Sequence, residues 1–259
     1  MRNRIITLTT DFGYKDPFVA EMKGVILSVN PDVTLVDVTH SIQPQDIEEA
    51  AYVIGSSYSY FPAGTIHIVV VDPGVGSERK ALVLQAGKHF FVGPDNGVFS
   101  HILNKKADDH IHQITEEKYM RPKDSHTFQG RDLFAPVAAW LSKGLPISEF
   151  GPSVEDLVTL PIAQPLVTEG RVHGEVIYID SFGNAIANIT RDDLARLGVH
   201  YSVEINNKVV RKVQYYAQAD ENSLSCLVNS SDHLELFVKN GNGAKEFNLT
   251  KGFKVTVVK

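Results

Sequence analysis

The chain has 259 residues, of which 43% are hydrophobic, and its formal net charge is −6. This length provides one large or two modest domains with a full hydrophobic core, and the acidic balance argues against a nucleic-acid-binding surface. The apolar runs have the length of strands rather than of membrane spans, and the N-terminal run IITLTT lacks the features of a signal peptide. The single cysteine, Cys226, excludes an internal disulfide and a zinc–thiolate site, so we expect a cytoplasmic protein.

The first part of the chain alternates strand and helix patterns. A β-branched run ends at Asp11, and the next stretch, DPFVAEMKGVILSVNP, has apolar residues at helical spacing. We expect Asp16 and Pro17 as the N-cap and first residue of this helix, and Asn30 at its end. VTLVDVT then predicts a strand, and PQDIEEAAYVIGSSYSYF predicts a second helix that begins near Asp46.

The same alternation continues to about residue 150. TIHIVVVD predicts a buried strand because its apolar run is nearly continuous. KALVLQAG and KHFFVG predict a hairpin around Gly87, DNGVFSHILN predicts a short helix, and RDLFAPVAAWLSKG predicts a longer helix that ends at Gly144. Strands that alternate with helices indicate a layered α/β domain with a mainly parallel sheet.

The pattern changes after Gly151, where proline and turn residues become frequent up to Gly170. Beyond this point most runs are strands of a length that is typical of a small β-barrel or sandwich, and RDDLARLG is the one helical segment that we predict. We therefore predict an α/β domain at 1–155, a linker at 156–170 and an all-β, barrel-like domain at 171–259.

Five of the predicted strands finish on an aspartate. These residues are Asp11, Asp37, Asp72, Asp95 and Asp180. Ligands of open α/β sheets bind outside the carboxyl ends of the strands, so carboxylates at these positions are suited to contact a polar ligand. Aspartate is also favoured in turns and at helix N-termini, and one such residue alone therefore does not define a site.

The segment VVVDPGVGSERK places a turn directly after a buried strand. Pro73 and Gly74 predict the turn, and Gly76 allows the backbone to approach a ligand closely. Arg79 follows Asp72 by seven residues, so a tight turn brings guanidinium and carboxylate together. The two residues form either a structural ion pair that holds the loop or a bidentate pair that holds a water molecule, and the spacing supports both interpretations equally.

The segment DSHTFQGRDLFAP crowds polar side chains at a glycine-containing turn before a predicted helix. They are His126, Gln129, Arg131 and Asp132. The segment either caps the helix, with Asp132 favourable at its start, or contacts a ligand, as loops between sheets and helices often do. His40 follows another predicted strand, and for this single histidine we favour a structural role.

The segment YIDSFGNAIANI carries a tight turn at Gly183. Asp180 and Asn184 could both face the amine or carboxylate of a ligand, and Phe182 could stack on an aromatic ring. The alternative is a simple hairpin. The sequence has no phosphate-binding glycine motif and no HExxH or CxxC motif. Oxygen and imidazole ligands for a hard cation remain an alternative if several strand-end groups converge. These groups are Asp11, Asp72, Asp95 and His40.

Seven segments, in order along the chain, resemble the S-adenosylmethionine hydroxide adenosyltransferases, a family related to the bacterial fluorinase and chlorinase. They are TTDFGYKDPFVAEMKGVI, DVTHSIQPQDIEEAAYVI, VVVDPGVGSERKAL, FVGPDNGVFS, TFQGRDLFAPVAAWL, YIDSFGNAIANI and LVNSSDHLELFVKNGNGA. The resemblance implies an N-terminal α/β domain, a C-terminal β-barrel, and a homotrimer with active sites between domains of neighbouring subunits. It also implies attack of water or hydroxide on the ribose C5′ of S-adenosylmethionine, which gives adenosine and methionine without a metal or other cofactor.

The resemblance assigns catalytic roles to particular positions. Asp72 and Arg79 match two members of the family's water-handling Asp-Arg-His set. The family pattern TFHGRD reads TFQGRD here, so Gln129 stands where the histidine is expected. Gln129 can hydrogen-bond a water molecule but is not a base near pH 7. His126, three residues earlier, is the other candidate for the third role.

The resemblance also assigns substrate-binding positions. Asp11 matches the residue that holds the ribose hydroxyls, because two carboxylate oxygens can accept from both groups of a diol. The other positions are Asp180, Phe182 and Asn184, in the segment that meets methionine and adenine, and Ser230, Ser231 and Glu235 near the C-terminus. In that last segment, SSDH departs from the usual glycine–aromatic pattern.

Three other functions are kept as alternatives. The halogenases usually carry tyrosine at the position of Asp72 and an insertion in the N-domain that this chain lacks, and an anionic carboxylate repels a halide; we therefore favour water as the nucleophile. A metal-dependent hydrolase is the second alternative. The third is a protein that binds S-adenosylmethionine or a nucleoside with little catalysis, because Gln129 replaces a potential base.

Overall fold

The computed structural model describes residues 4–103, 110–122 and 127–259. The chain divides into two compact units, residues 1–161 and 162–259, so residues of the predicted linker take part in both. Lys80 Nζ donates to the backbone oxygen of Asp156 within the first unit, at 2.8 Å. Within the described ranges, no helix is long and apolar enough to cross a membrane.

The first unit is built on a mixed six-stranded sheet. Its strands are β1 (Ile5–Thr10), β2 (Thr34–Thr39), β3 (Ile66–Val70), β4 (Ala81–Ala86), β5 (His89–Pro94) and β6 (His110–Gln113). They lie in the order β2-β1-β3-β5-β4-β6, and only β4 runs against the others. The mainly parallel sheet and the hairpin between β4 and β5 are thus confirmed.

Helices cover both faces of this sheet. They are α1 (Phe18–Val29), α2 (Ile47–Ser57) and α3 (Ala135–Ser142), with a π-helical turn at Gly130–Phe134 and 3-10 turns at Tyr58–Tyr60, Glu117–Tyr119 and Ile147–Phe150. Met22 and Ile26 of α1 pack with Leu8 in one core, and Ile54 of α2 packs with Phe91 in the other. Burying one such side chain contributes about 1.5–3 kcal/mol, so each helix is held to the sheet by its apolar stripe.

Three local predictions were wrong. Asp37 is not a strand end, because β2 continues to Thr39 while the Asp37 carboxylate is held by Lys23 at 2.6 Å. Asp16 does not cap α1, since Pro17 is the N-cap residue and no side chain donates or accepts there. The described part of DNGVFSHILN forms successive turns rather than a helix, because Gly97 has a positive φ of 95°, which an α-helix does not contain.

The second unit is an all-β barrel. Its strands are β7 (Leu166–Thr168), β8 (Arg171–Ile179), β9 (Ala185–Thr190), β10 (Ser202–Ile205), β11 (Lys208–Lys212), β12 (Leu224–Val228), β13 (His233–Val238) and β14 (Lys254–Val258). Seven of them form a ring in the order β8-β14-β10-β11-β12-β13-β9, which closes because β9 also pairs with β8, and β7 pairs with β8 outside the ring. This confirms the predicted barrel.

Short helices connect the barrel strands. They are α4 (Arg191–Leu197), α5 (Gly243–Glu246) and a 3-10 turn at Tyr216–Gln218. Thr190 and Asp193 form a reciprocal capping box at the start of α4, which satisfies two backbone donors of the first turn. The barrel interior is apolar, with Val176, Ala187 and Leu236 all buried in one cluster.

Candidate active site

Two predicted site residues begin at adjacent strand ends of the first unit. β1 and β3 are parallel neighbours with Thr10 opposite Val70, so Asp11 and Asp72 follow at the same edge of the sheet. This edge is where open α/β sheets place their ligands.

Asp72 and Arg79 form a buried bidentate ion pair. The turn between them is closed by hydrogen bonds from Val75 N to Asp72 O at 3.2 Å and from Ser77 N to Gly74 O at 3.0 Å. Arg79 Nε lies 2.9 Å from both carboxylate oxygens of Asp72, and its Nη2 donates to the same carboxylate. The two side chains are only 4% and 10% exposed, so the pair is shielded from solvent screening.

Gln129 joins this pair. Its Oε1 accepts a hydrogen bond from Arg79 Nη2, and the Arg79 guanidinium lies 5.6 Å from the centre of the Phe134 ring. Gln129 directly precedes the π-helical turn, a feature often found at functional sites. The fold therefore brings Gln129 to Arg79, which lies 50 residues earlier along the chain, and His126 lies outside the described residues.

Arg131 and Asp132, in the same segment, pair with each other and with charged neighbours. Arg131 Nε donates to Asp132 at 2.7 Å, and its Nη1 donates to Glu21 of α1 at 2.8 Å. The hydrogen bonds that Arg131 donates to the Asp132 and Glu21 carboxylates raise the pKa of Arg131. These contacts tie the π-helical turn to α1 and support the interpretation of Asp132 as a structural residue.

Asp11 lies in a partly exposed loop directly after β1. Its Oδ2 accepts a hydrogen bond from the backbone nitrogen of Gln45 at 2.8 Å, and Gln45 has a positive φ of 70°. The loop before α2 thus holds one oxygen of Asp11 in a fixed direction.

His40 is buried beside this loop rather than exposed at the rim of the sheet. Its Nδ1 lies 2.8 Å from Thr10 Oγ1, and its Nε2 lies 3.0 Å from Asp37 Oδ1. Burial alone would raise the pKa of Asp37, but the hydrogen bond from Lys23 and the charge contact with His40 outweigh it and lower that pKa. The structural role that we favoured for His40 agrees with these contacts.

Asp95 follows β5, the parallel neighbour of β3, and lines a cavity of about 250 Å³ together with Arg79 and Lys80. Its Oδ1 accepts from Val158 N at 2.9 Å, and burial raises its pKa. Among residues 4–103, 110–122 and 127–259, no three His, Cys, Asp or Glu side chains are placed together as metal ligands. Asp11, Asp72, Asp95 and His40 each have the separate partners given above.

In the barrel unit, the β8–β9 loop presents Asp180, Phe182 and Asn184. Asp180 Oδ1 accepts from the backbone nitrogens of Phe182 at 2.9 Å and Asn184 at 2.8 Å, and Asp180 Oδ2 accepts from Asn184 Nδ2 at 3.0 Å. The Phe182 side chain remains exposed, with a relative accessibility of 76%. The loop is the turn of a hairpin between the antiparallel strands β8 and β9, and it lines a cavity of about 750 Å³.

The opposite wall of this cavity includes residues that our sequence reasoning missed. They are Tyr216, Ala217, Phe237, Val238, Lys239, Asn240 and Gly241. The signal in the sequence is the NGNG run after β13, which predicts a turn. This turn touches the β8–β9 loop, since a Cβ on Gly183 would lie 2.2 Å from the side chain of Asn242.

The C-terminal candidates are placed differently from one another. Ser230 and Ser231 lie in the turn between β12 and β13 and are not among the lining residues of the cavity. Glu235 is 3% exposed and accepts hydrogen bonds from Tyr216 Oη at 2.7 Å and Asn229 Nδ2 at 3.1 Å. Burial raises the pKa of Glu235. Glu235 therefore contacts the cavity wall through Tyr216.

The chain combines an α/β unit, a seven-stranded barrel and a buried Asp–Arg–Gln cluster. This combination is the one expected of the S-adenosylmethionine hydroxide adenosyltransferases. Family models confirm it: the N-terminal domain of S-adenosylmethionine hydroxide adenosyltransferases matches residues 6–151, and the C-terminal domain matches residues 174–256. The chain belongs to this family.

Individual relatives agree with this assignment. The chain is 35% identical to the (R)-S-adenosyl-L-methionine hydrolase of Methanocaldococcus jannaschii, over 95% of this chain and 92% of the relative. It is also 35% identical to the protein of the same name from Thermus thermophilus, over 98% and 100%, and 28% identical to the fluorinase of an Actinoplanes species, over 99% and 98%. A crystal structure of a conserved protein from Thermotoga maritima superposes with a TM-score of 0.92 and 32% identity, over 98% and 100%.

Proposed function

We propose that this protein hydrolyses S-adenosyl-L-methionine to adenosine and L-methionine. The observation that carries the proposal is the buried cluster in which Arg79 binds both Asp72 and Gln129. Further support comes from the family membership and from relatives of 35% identity that are named hydrolases of this substrate.

The chemistry makes modest demands on the protein. Water attacks the ribose C5′, a C5′–O bond forms, the C5′–S bond breaks, and its electron pair leaves with sulfur as a neutral thioether. One proton of the water is released, and no acid is needed for the leaving group. The difficult part is the weak nucleophile, which a fixed carboxylate and a hydrogen-bonding partner can orient.

We assign the roles accordingly. Asp72, held by Arg79, accepts a hydrogen bond from the attacking water, and Gln129 keeps Arg79 in place and hydrogen-bonds the same water. Asp11 accepts from the ribose hydroxyls with the oxygen directed by Gln45. In the barrel, Phe182 and Asn184 contact the rest of the substrate. A dry pocket favours this reaction, because sulfonium charge is lost as the bond breaks.

Water is the nucleophile that this cluster favours over a halide. The Asp72 side chain is 4% exposed, and an anion that enters beside a buried carboxylate is repelled. Incubation with fluoride or chloride is therefore expected to give adenosine and no halogenated nucleoside.

We further propose a cytoplasmic homotrimer whose active sites combine the α/β domain of one subunit with the barrel of the next. Support comes from the distribution of the candidate residues over both units and from the exposed Phe182 ring. Sedimentation equilibrium is expected to give a mass of three chains.

The decisive experiment is to incubate purified protein with S-adenosylmethionine and to measure adenosine by chromatography between pH 6 and 9. We expect adenosine above a heat-treated control, with turnover unchanged by a chelator. Turnover that is lost with chelator and restored by Mg²⁺ or Mn²⁺ would instead indicate the metal-dependent alternative. Binding by calorimetry with background turnover would indicate a binding protein, the alternative that was kept because Gln129 replaces a potential base.

A further inference from the structure

The loop that carries Asp11 is attached to His40 on both sides of the aspartate. Before it, Thr10 Oγ1 lies 2.8 Å from His40 Nδ1 and accepts a hydrogen bond from Phe12 N at 3.2 Å. After it, Gly13 N donates to the backbone oxygen of His40 at 2.7 Å. His40 and Thr10 are 1% and 0% exposed, so water does not compete for these bonds.

The contacts around His40 form a series in which each donor and acceptor can be assigned. Its Nε2 lies 3.0 Å from Asp37 Oδ1 in a charge contact that lacks hydrogen-bond geometry. A carboxylate so close still favours the ring proton on that nitrogen, because a nitrogen lone pair there would be repelled. Nδ1 is then an acceptor, so the Thr10 hydroxyl donates to it. The hydroxyl oxygen in turn accepts the Phe12 N–H. Lys23 holds the other oxygen of Asp37 at 2.6 Å, which fixes the far end of the series.

We propose that His40 is a positioning residue: it binds Thr10, and this contact fixes the backbone around Asp11 so that the Asp11 carboxylate can accept from a vicinal diol. Asp37 fixes the orientation of the His40 ring. The inference rests on the proposed function, because it concerns how Asp11 meets the ribose of the substrate. His40 is buried and acts only through the loop. A carboxylate that accepts from two neighbouring hydroxyls must hold a defined direction, since hydrogen bonds weaken steeply when they are misaligned.

The test is to remove the central hydroxyl without changing the shape of the side chain. Thr10→Val is expected to raise KM for S-adenosylmethionine about tenfold with kcat changed less than about threefold, since one buried bond is broken. Thr10→Ser keeps the hydroxyl and is expected to restore KM.

The same strand offers a matched control. Thr7 is also buried on β1, and its hydroxyl lies 2.8 Å from Nδ1 of a buried histidine, His67. Thr7→Val therefore loses the same kind of bond away from the Asp11 loop and is expected to lower the melting temperature without raising KM. An equal rise in KM for Thr7→Val and Thr10→Val would overturn the proposal.

A double-mutant cycle separates positioning from general damage. If Thr10 acts through Asp11, Thr10→Val adds nothing to the loss of affinity in Asp11→Ala, measured as Kd by calorimetry. The full tenfold factor in the Asp11→Ala background would refute the proposal. If Thr10→Val does not fold, Asp37→Asn is the substitute test, because Asp37 lies at the other end of the series of contacts through His40. It is expected to raise KM about threefold, and an unchanged KM counts against the proposal.

The two proposals fail in different ways. A wild-type protein that neither binds S-adenosylmethionine nor forms adenosine removes the proposed function and this inference with it. An active wild-type protein with an unchanged KM in Thr10→Val removes only the role of His40.

Discussion

Asp72 and Asp180 look alike in the sequence, since each follows a β-strand and begins a turn with glycine, yet their carboxylates have different partners. Asp72 is bound by the side chain of Arg79, which also reaches Gln129. Asp180 is bound by backbone and side-chain N–H groups of its own loop. The first carboxylate belongs to a charged cluster formed by the tertiary fold, and the second stabilises a local turn. What a strand-end aspartate does therefore depends on its partner.

The largest expected effect tests the charged side of this comparison. Asp72→Asn keeps the shape of the side chain but removes the charge, so we expect substrate binding to persist and turnover to fall about 10²-fold or more. Stopped assays for kcat and calorimetry for Kd check the two halves. An unchanged rate would mean that Asp72 serves only to hold its loop.

Arg79→Ala is expected to reduce turnover by a similar factor, because it leaves Asp72 without its bidentate partner. The two residues act as a unit, so the loss of turnover in the double variant is expected to be less than the sum of the two single losses in free energy. Independent, multiplying effects would separate Arg79 from the water-handling role.

The next largest expected effect tests Asp180, whose carboxylate binds only within its own loop in the contacts described above. Asp180→Ala leaves three donors without their acceptor, and we expect a loss of about 1–3 kcal/mol in the free energy of unfolding. Because the loop lines the cavity, KM is expected to rise about tenfold with kcat nearly unchanged. A fall in kcat that exceeds the rise in KM would place Asp180 with Asp72 rather than apart from it.

Phe182→Ala is expected to separate binding from stability within the same loop. The ring is 76% exposed, so the free energy of unfolding is expected to change by less than about 0.5 kcal/mol. Loss of a stacking contact is expected to raise KM about fivefold. Tyr60 is equally exposed at 76% in the other unit, and Tyr60→Ala is the control with an unchanged KM.

The smallest expected effect concerns the departure from the family at residue 129. If Gln129 holds the water, Gln129→His is expected to raise the rate about threefold or to add a titration near pH 6.5, the ordinary pKa of histidine, while His126→Ala is nearly silent. A sharp loss in His126→Ala together with a silent Gln129→His would assign the role to His126. The bond between Gln129 and Arg79 favours the first outcome.

Local sequence patterns predicted most helices and strands of this fold, but they did not predict contacts between residues far apart along the chain. The strands up to β5, the hairpin at Gly87 and the helix start near Asp46 depend on neighbours within a few residues, and the structure has them. The bond from Arg79 to Gln129 joins positions that are 50 residues apart, and no pattern along the chain encodes it. Asp37 was misjudged as a strand end for the same reason, because pairing with β1 continues β2 to Thr39.

The same distinction between local and long-range contacts decides which site residues could be predicted. Asp72 and Arg79 were paired from a seven-residue spacing, whereas the His40–Thr10 contact was not foreseen, since it requires the register between β1 and β2. In the barrel, Asp180, Phe182 and Asn184 were found from one turn motif. Tyr216 was missed because it reaches the cavity from a connection between other strands.

The closure of the barrel has a consequence for how the second unit folds. β14 pairs on one side with β8, where Lys254 lies opposite Glu175, 79 positions earlier, and on the other side with β10. Without β14 the ring has two open edges, each with unpaired backbone groups that can recruit strands of other chains. Ordering of this unit therefore waits for a contact between residues 79 positions apart, and such contacts form slowly. Newly made chains are thus most prone to aggregation in the interval before β14 docks.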